Sequence, residues 1–512
     1  MFKIRWLFFI LSLLILNSCE KENLPVEEII DLCEPNPCSD IEWSNGECLN
    51  ILEGYECGCV ENFKWNGSDC EGETRVVSCM GLPENGLWNS ADEITQQWSG
   101  DKWEPSETGT YSHVESTEYC RFRCNIGYGW ENGACVLKWE MVALGAGHTC
   151  GIKNSSLFCW GNAYRGKLGN GDIKDYRTKP VQVLFDPEII SKKDGLWKSV
   201  SAGTGHTCGI LHNGELYCWG DNEWSQIGDG TNEDRPFPVR ILAQEDIKFV
   251  KISTRYEHTC AINSTGELFC WGKNDLGALG DGTEVDRKHP VKIGENIGQW
   301  VDVSAGGAHT CAINSNGELY CWGLNSRGQF GNNSHVFKSL SPVKVNEETD
   351  WKMIATGGVH TCAIKENGKL YCWGGNDRGE VGDGNVCPEG YDFCADRYSP
   401  VLIEANHKWS YISIGYRNNA AKREDGLFFV WGKNDYYSLG DGTDIGRPFP
   451  VEMKKNSWET VTLGGSWNYG LHTCAIDEQK DLYCWGTNLS GQLGTGTTND
   501  RKVPSKVEIP EY

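Results

Sequence analysis

Histidine, aspartate and cysteine recur at fixed intervals along this chain, and these are the residue types from which metal sites and acid–base machinery are built. Histidines stand at His148, His206, His258, His309, His360 and His472, with Asn418 in the corresponding place between the last two. Six equivalent imidazoles raise the idea of a metal ring. Each, however, occupies the same place in a repeating unit, and the expectation is that each orders its own inter-strand loop by hydrogen bonding. Asp-Gly pairs such as Asp229-Gly230, Asp281-Gly282 and Asp441-Gly442 invite comparison with calcium loops. Turn chemistry explains them more simply, since Gly supplies positive φ and Asp bonds its own backbone. No nucleophile–base–acid set stands out, and no phosphate-cradling glycine loop is followed by Lys and Ser or Thr. Catalysis, a cofactor and a bound metal are therefore not expected.

The element that positions these residues is a repeat. From Trp139 onward a strand is followed by Gly, His-Thr-Cys-x-Ile, an Asn-Gly turn, Leu-Tyr-Cys-Trp-Gly, Leu-Gly-Asp-Gly-Thr and Pro-Val, in seven copies. The intervals of 52, 51 and 51 residues from His206 to His360 suit a unit of four strands. In the fourth copy the pattern predicts strands over 301–304, 309–313 and 318–322, with a turn at 315–317. A fourth, outer strand is expected to begin at Pro342, where a missing N–H leaves no ladder bond unmade. Cys311 and Cys321 are equidistant from Asn316, so they face each other across a hairpin at disulfide spacing. The same argument pairs Cys208 with Cys218, Cys260 with Cys270, Cys362 with Cys372 and Cys474 with Cys484, and pairs Cys150 with Cys159 across a turn one residue shorter. In the sixth copy Ala420 and Val430 replace both partners together, as expected of a covalent pair.

Val200-Ser201-Ala202-Gly203-Thr204-Gly205-His206-Thr207 and Val303-Ser304-Ala305-Gly306-Gly307-Ala308-His309-Thr310, each followed by Trp-Gly, resemble the signature of the RCC1-like (regulator of chromosome condensation) repeat family. The resemblance implies an all-β fold, a seven-bladed β-propeller over residues 139–512. It departs from intracellular members in the cysteine after each His-Thr, where those carry an aliphatic residue. Loops that differ between copies are the expected recognition surface. They are 185–196, 385–396 with its extra pair Cys387 and Cys394 around Tyr391, and 466–471 with Trp467 and Tyr469.

The segment before the repeats carries an address. Lys3 and Arg5 precede an apolar stretch from Trp6 to Leu16, and Leu16-Asn17-Ser18-Cys19 resembles a bacterial lipobox. That resemblance implies a signal peptide over 1–18 and lipidation at Cys19, giving a lipid anchor in the bacterial cell envelope. The alternative is an ordinary signal peptide with an incidental cysteine. Residues 19–31 are acidic and read as a tether. Cys33, Cys38, Cys48, Cys57, Cys59 and Cys70, with Gly54-Tyr55, look like an epidermal-growth-factor-like module over 32–71. This resemblance implies pairing Cys33 with Cys48, Cys38 with Cys57 and Cys59 with Cys70. Asp31 and Asn50 stand where calcium-binding members carry oxygen ligands, although Ile29 and Leu32 leave that set incomplete. Cys79, Cys120, Cys124 and Cys135 define a second small module over 76–136, with their pairing open.

Bulk properties agree. Setting Cys19 aside, 24 of the 25 cysteines remain, an even number without C-x-x-C pairs, which favours an oxidising compartment over metal sites. A net charge of -24 disfavours nucleic acid and anionic membrane surfaces. The expected function is an extracellular, lipid-anchored scaffold, acting as a monomer in adhesion or in protein or glycan recognition. The alternatives are guanine-nucleotide exchange on a small GTPase, which the family implies for some members, and capture of an extracellular enzyme such as a β-lactamase.

Overall fold

The computed structural model describes residues 138–512 except 186–196, 243–246, 389–394, 454–456, 467–469 and 509–512, together with the backbone of short strands between residues 48 and 137. The chain divides into two compact units, 1–137 and 138–512. In the first, Cys48–Leu52 and Tyr55–Glu61 form an antiparallel hairpin with Cys48 opposite Cys59 and Asn50 opposite Cys57. Thr74–Met80, Glu93–Trp98 and Trp103–Pro105 extend that hairpin to five strands, so strands from either side of the expected module boundary share one sheet. Cys19, Asp31, Cys33, Cys38 and Cys70 lie outside the described residues. So do the side chains of Asn50, Cys48, Cys57 and Cys59.

The second unit is a seven-bladed propeller. Seven sheets follow one another along the chain, each of four antiparallel strands in sequence order. The blades cover residues 139–182, 197–240, 249–293, 300–344, 351–403, 409–452 and 458–506. Among the described residues no strand from one end of the unit completes a blade at the other. The ring is closed by contacts between blade 7 and blade 1, among them Trp139 N–H to Lys480 O at 3.0 Å.

Blade 4 shows how sequence makes the unit. Its strands are Trp300–Ala305, His309–Asn314, Leu319–Leu324 and Lys338–Lys344. The second strand is buried at every residue, whereas the outer strand is half-buried or exposed throughout. That outer strand starts four residues earlier than Pro342. The ladder pairs Cys321 with Val343 and Gly323 with Ser339, leaving Pro342 inside a β-bulge where its missing N–H costs no ladder bond. The hairpin turn runs from Asn314 to Glu318 with Gly317 at φ 74°, while blade 1 uses the two-residue turn Asn154-Ser155, both at φ 58°.

Register sets Cys311 opposite Cys321 with their Cα atoms 4.1 Å apart, and the disulfide joins them. Disulfides likewise join Cys150 to Cys159, Cys208 to Cys218, Cys260 to Cys270, Cys362 to Cys372 and Cys474 to Cys484. None of these sulfurs is exposed. Each pair lies in the apolar core between its own blade and the next, so Cys150 and Cys159 pack with Trp197 and Trp219 of blade 2. Seven such cores follow the seven interfaces around the ring. In blade 6, Ala420 and Val430 fill the same place against Trp458 and Trp485. The close approach also requires glycine: a Cβ on Gly280, at φ 79°, would stand 2.5 Å from the indole nitrogen of Trp322.

Candidate functional site

The six repeated histidines sit at the start of the second strand of every blade but the sixth, and are fully buried or nearly so. Instead of ordering its own loop, each reaches the following blade. His148 Nε2 lies 2.8 Å from Thr207 Oγ1, His206 2.8 Å from Thr259, His258 3.0 Å from Thr310 and His309 3.1 Å from Thr361. His472 closes the circle at 2.9 Å from Thr149. The threonine hydroxyl donates its one proton to a backbone carbonyl, as Thr207 does to Lys167 O, and so must accept from the imidazole. Nε2 therefore carries the hydrogen. Where Asn419 replaces threonine, its carbonyl oxygen accepts from His360 and its amide donates to Glu380 O, the same relay in another residue type. The indole N–H of the following blade joins each such carbonyl, as Trp219 does at Lys167 O. Burial holds His206, His309, His360 and His472 down to about 3 and His258 to about 4, so the ring stays neutral in ordinary conditions. Asn418 breaks the series. It bonds Ser438 Oγ within its own blade, and the link from blade 6 to blade 7 is missing.

The Asp-Gly loops are closed by protein groups. Asp229 Oδ1 accepts from Thr231 N–H at 3.0 Å and from its hydroxyl at 2.8 Å, and Oδ2 takes the Arg235 Nε–H at 2.6 Å. Asp281 with Arg287 and Asp383 with Arg397 repeat the arrangement, and Arg447 meets Asp441. Burial pushes Asp229 up, but the Thr231 and Arg235 hydrogen bonds outweigh it and hold the carboxyl below its usual range. Among the described residues no group of three or more His, Cys, Asp or Glu is disposed to hold a metal ion.

Two features depart from the repeat and are not anticipated by its pattern. At the ring centre Arg255 occupies the position that Gly306 has in blade 4. It is half-buried with its Nη2 shielded from solvent, and its Nη1 crosses from blade 3 to donate to Ile414 O of blade 6 at 2.9 Å. Tyr256 and Tyr416 stand beside it with ring centroids 6.3 Å apart. Burial lowers the guanidinium to about 10.

The second feature is a cleft of about 730 Å³ between blades 5 and 6. Arg327 of blade 4 fixes one wall: its Nη1 donates to Asp377 Oδ2 at 2.6 Å and its Nε to Asp396 Oδ2 at 3.0 Å. Arg417 Nη1 donates to Asp377 Oδ2 at 3.1 Å and stands 3.4 Å from Glu380 Oε1, too far for a good hydrogen bond. Burial raises the Glu380 carboxyl to about 7 despite Arg417. In three other copies this position is glutamine: Gln226, Gln329 and Gln492. Arg378, Lys433, Asn434, Asp435, Gly446 and Pro448 are among the other lining residues, with Lys433 Nζ 2.7 Å from Asp435 Oδ2.

Of the residues expected to recognise a ligand, Cys387 lines this cleft and is disulfide-bonded, whereas Tyr391 and Cys394 lie outside the described residues. Trp467 and Tyr469 also lie outside them, between Ser466 and Gly470, which form an isolated bridge.

The RCC1-like domain model matches residues 131–471, and RCC1 repeat models match 469–492 and 481–511. The chain belongs to the RCC1-like family. Similar proteins include the Ultraviolet-B receptor UVR8 of Arabidopsis thaliana, 31% identical over 378 residues, 72% of this chain and 81% of the relative. The E3 ubiquitin-protein ligase HERC2 of Homo sapiens is 28% identical over 72% of this chain, which spans 7% of that protein. Among solved structures, the RCC1-like propeller resembles Prp20p of Saccharomyces cerevisiae with a TM-score of 0.59 at 22% identity, covering 73% of this chain and 87% of that one. Human WBSCR16 gives 0.56 at 19% identity over 70% and 91%. At these identities the solved structures speak for the fold alone.

Proposed function

We propose that this RCC1-like chain is an exported, lipid-anchored binding scaffold without catalysis, which presents its propeller to an extracellular protein or glycan. The observation that carries the reading is the set of buried hairpin cystines set between the blades. They belong to an oxidising compartment, since thiols at these sites would be kept reduced in a cytosol. The lipobox-like Leu16–Cys19 supplies the anchor, and the acidic stretch 19–31 serves as its tether. Prp20p, similar in fold, binds Gsp1p and histones. A corresponding role here would place the cystines in a reducing compartment, so exchange on a GTPase ranks second.

The test is intact-mass and peptide mass spectrometry of the protein from its membrane fraction without reductant. A mature chain beginning at acylated Cys19, with Cys311 linked to Cys321, is the expected result. A chain beginning at Met1 with free thiols overturns the reading.

A further inference from the structure

One position of the repeat, four residues before the glycine beneath each indole, reaches over to the next blade. In blade 1 it is Arg165, held by Asp221 and Glu223 of blade 2, each at 2.9 Å. Trp224 of blade 2 lies 4.2 Å from Lys273 Nζ of blade 3. Arg327 of blade 4 is clamped by Asp377 and Asp396 of blade 5. Blade 5 carries Arg378 at this position, exposed on the cleft, and among the described residues no carboxylate is within ion-pair distance of it.

The reason lies in blade 6. In blades 2, 3, 5 and 7 an aspartate accepts from the N–H of the recurring loop asparagine: Asp234 from Asn222, Asp286 from Asn274, Asp396 from Asn376 and Asp500 from Asn488, at 2.7 to 3.2 Å. Asp234 and Asp396 are also ion partners of the preceding blade's arginine. In blade 6 that aspartate is Gly446, twelve residues after Asn434 as Asp234 is after Asn222. A Cβ on Gly446 would stand 3.2 Å from Gly432 O, a tight contact that asks the backbone to give by a few tenths of an ångström, with Arg378 O and Asn434 N at 4.0 Å. The arginine and the amide of the clamp remain; of its two carboxylates, Asp435, the counterpart of Asp377, is taken up by Lys433 at 2.7 Å, the other is gone, and the cleft lies there. The nearby Arg417 has a buried Nε–H without an acceptor.

We propose that this cleft binds a carboxylate of a partner's acidic peptide, seated where Asp234 and Asp396 sit in their own blades. The proposal rests on the binding-scaffold reading and names its ligand chemistry. A planar carboxylate matches the guanidinium fork of Arg378. The volume admits the attached residue and its neighbours. Val359, Val386 and Pro448 give apolar walls, and among the described residues the lining offers no aromatic ring as the stacking plane a sugar needs, which favours a peptide.

The experiment titrates the full chain into a fluorescein-labelled pentapeptide containing two aspartates, followed by anisotropy, with the asparagine version of the peptide as control. Wild type should bind the acidic peptide at least tenfold tighter than the control. Arg378→Ala, an exposed change, should weaken binding at least tenfold, and Gly446→Asp should do the same by supplying the missing carboxylate internally. Equal binding by wild type and Arg378→Ala overturns the proposal, as does indifference to aspartate against asparagine. A tetraglucuronate that displaces the peptide at lower concentration than the unlabelled peptide overturns the choice of a peptide. Capture of a partner by wild type and by Gly446→Asp alike overturns the cleft while leaving the scaffold reading intact.

Discussion

Replacing Cys311 and Cys321 together separates two roles of the hairpin cystine. The disulfide closes a loop of 10 residues' separation, for which chain entropy in the unfolded state amounts to about 3 kcal/mol. The sulfurs also fill the core between blades 4 and 5 beside Trp351 and Trp373. Cys311→Ala with Cys321→Val copies the pair that blade 6 uses, so it should lose the covalent part, about 3 kcal/mol, and retain an apolar interface. Serine at both sites loses the same link and in addition buries two hydroxyls in a site without exposed surface, a further penalty of about 1–3 kcal/mol for each left unsatisfied. Urea unfolding followed by tryptophan fluorescence, without reductant, should therefore rank wild type above Ala/Val and Ala/Val above Ser/Ser. With dithiothreitol in both samples, which opens the other hairpin cystines of both alike, wild type and the Ala/Val variant should converge. Equal midpoints for Ala/Val and Ser/Ser would refute the placement of this pair in the inter-blade core.

Acid should weaken the propeller well before its carboxylates are protonated. The buried histidines are held near 3 to 4 when folded and return to about 6.5 when unfolded, so stability is fully present above pH 6.5 and falls as pH drops toward 3. Glu380, raised to about 7, works the opposite way by one proton; a urea midpoint unchanged between pH 7.5 and 5 would contradict the neutral ring. Thr149→Val removes the acceptor of His472 and a donor to Gln492 O where the ring closes, and should cost about 2 kcal/mol. Thr473→Val, opposite Asn418 in blade 6, loses only its bond to Ser438 O and should cost less, with both read by thermal melting. Arg255→Met removes a half-buried cation whose shielded Nη2 has no partner, and should change stability by less than about 1.5 kcal/mol, whereas a loss above about 3 kcal/mol would make the Ile414 contact essential.

The repeat is legible because each unit writes the same physics seven times. Alternation, the Asn-Gly turn and the equidistant cysteines set hairpin and register from the chain alone. What the local pattern does not reveal is direction across the ring. The histidine and its threonine are about fifty residues apart, and nothing in one copy says that the imidazole of one serves the next. The same applies to the cystines, which a hairpin argument places correctly in register but not in the interface. Pro342 falls inside the outer strand rather than at its start because a bulge shifts that strand, and a single strand's sequence does not disclose the count of residues facing it.

Departures from the consensus are the available signal for the rest. Arg255 in place of glycine, Asn418 in place of histidine and Gly446 in place of aspartate each stand out once the copies are aligned by their blade positions, and so does Glu380 beside the three glutamines. Three of the four fall in blades 5 and 6, where the ring of imidazole bonds is broken and the charged cleft opens. A scaffold built from equal interfaces must give up some equality to bind one thing at one place. Here the interface from blade 5 to blade 6 keeps its apolar core, including Cys362, Cys372, Trp409 and Trp431, and gives up one carboxylate of the polar clamp above it, at Gly446. That division lets a recognition site open without loosening the hydrophobic contacts that hold the ring.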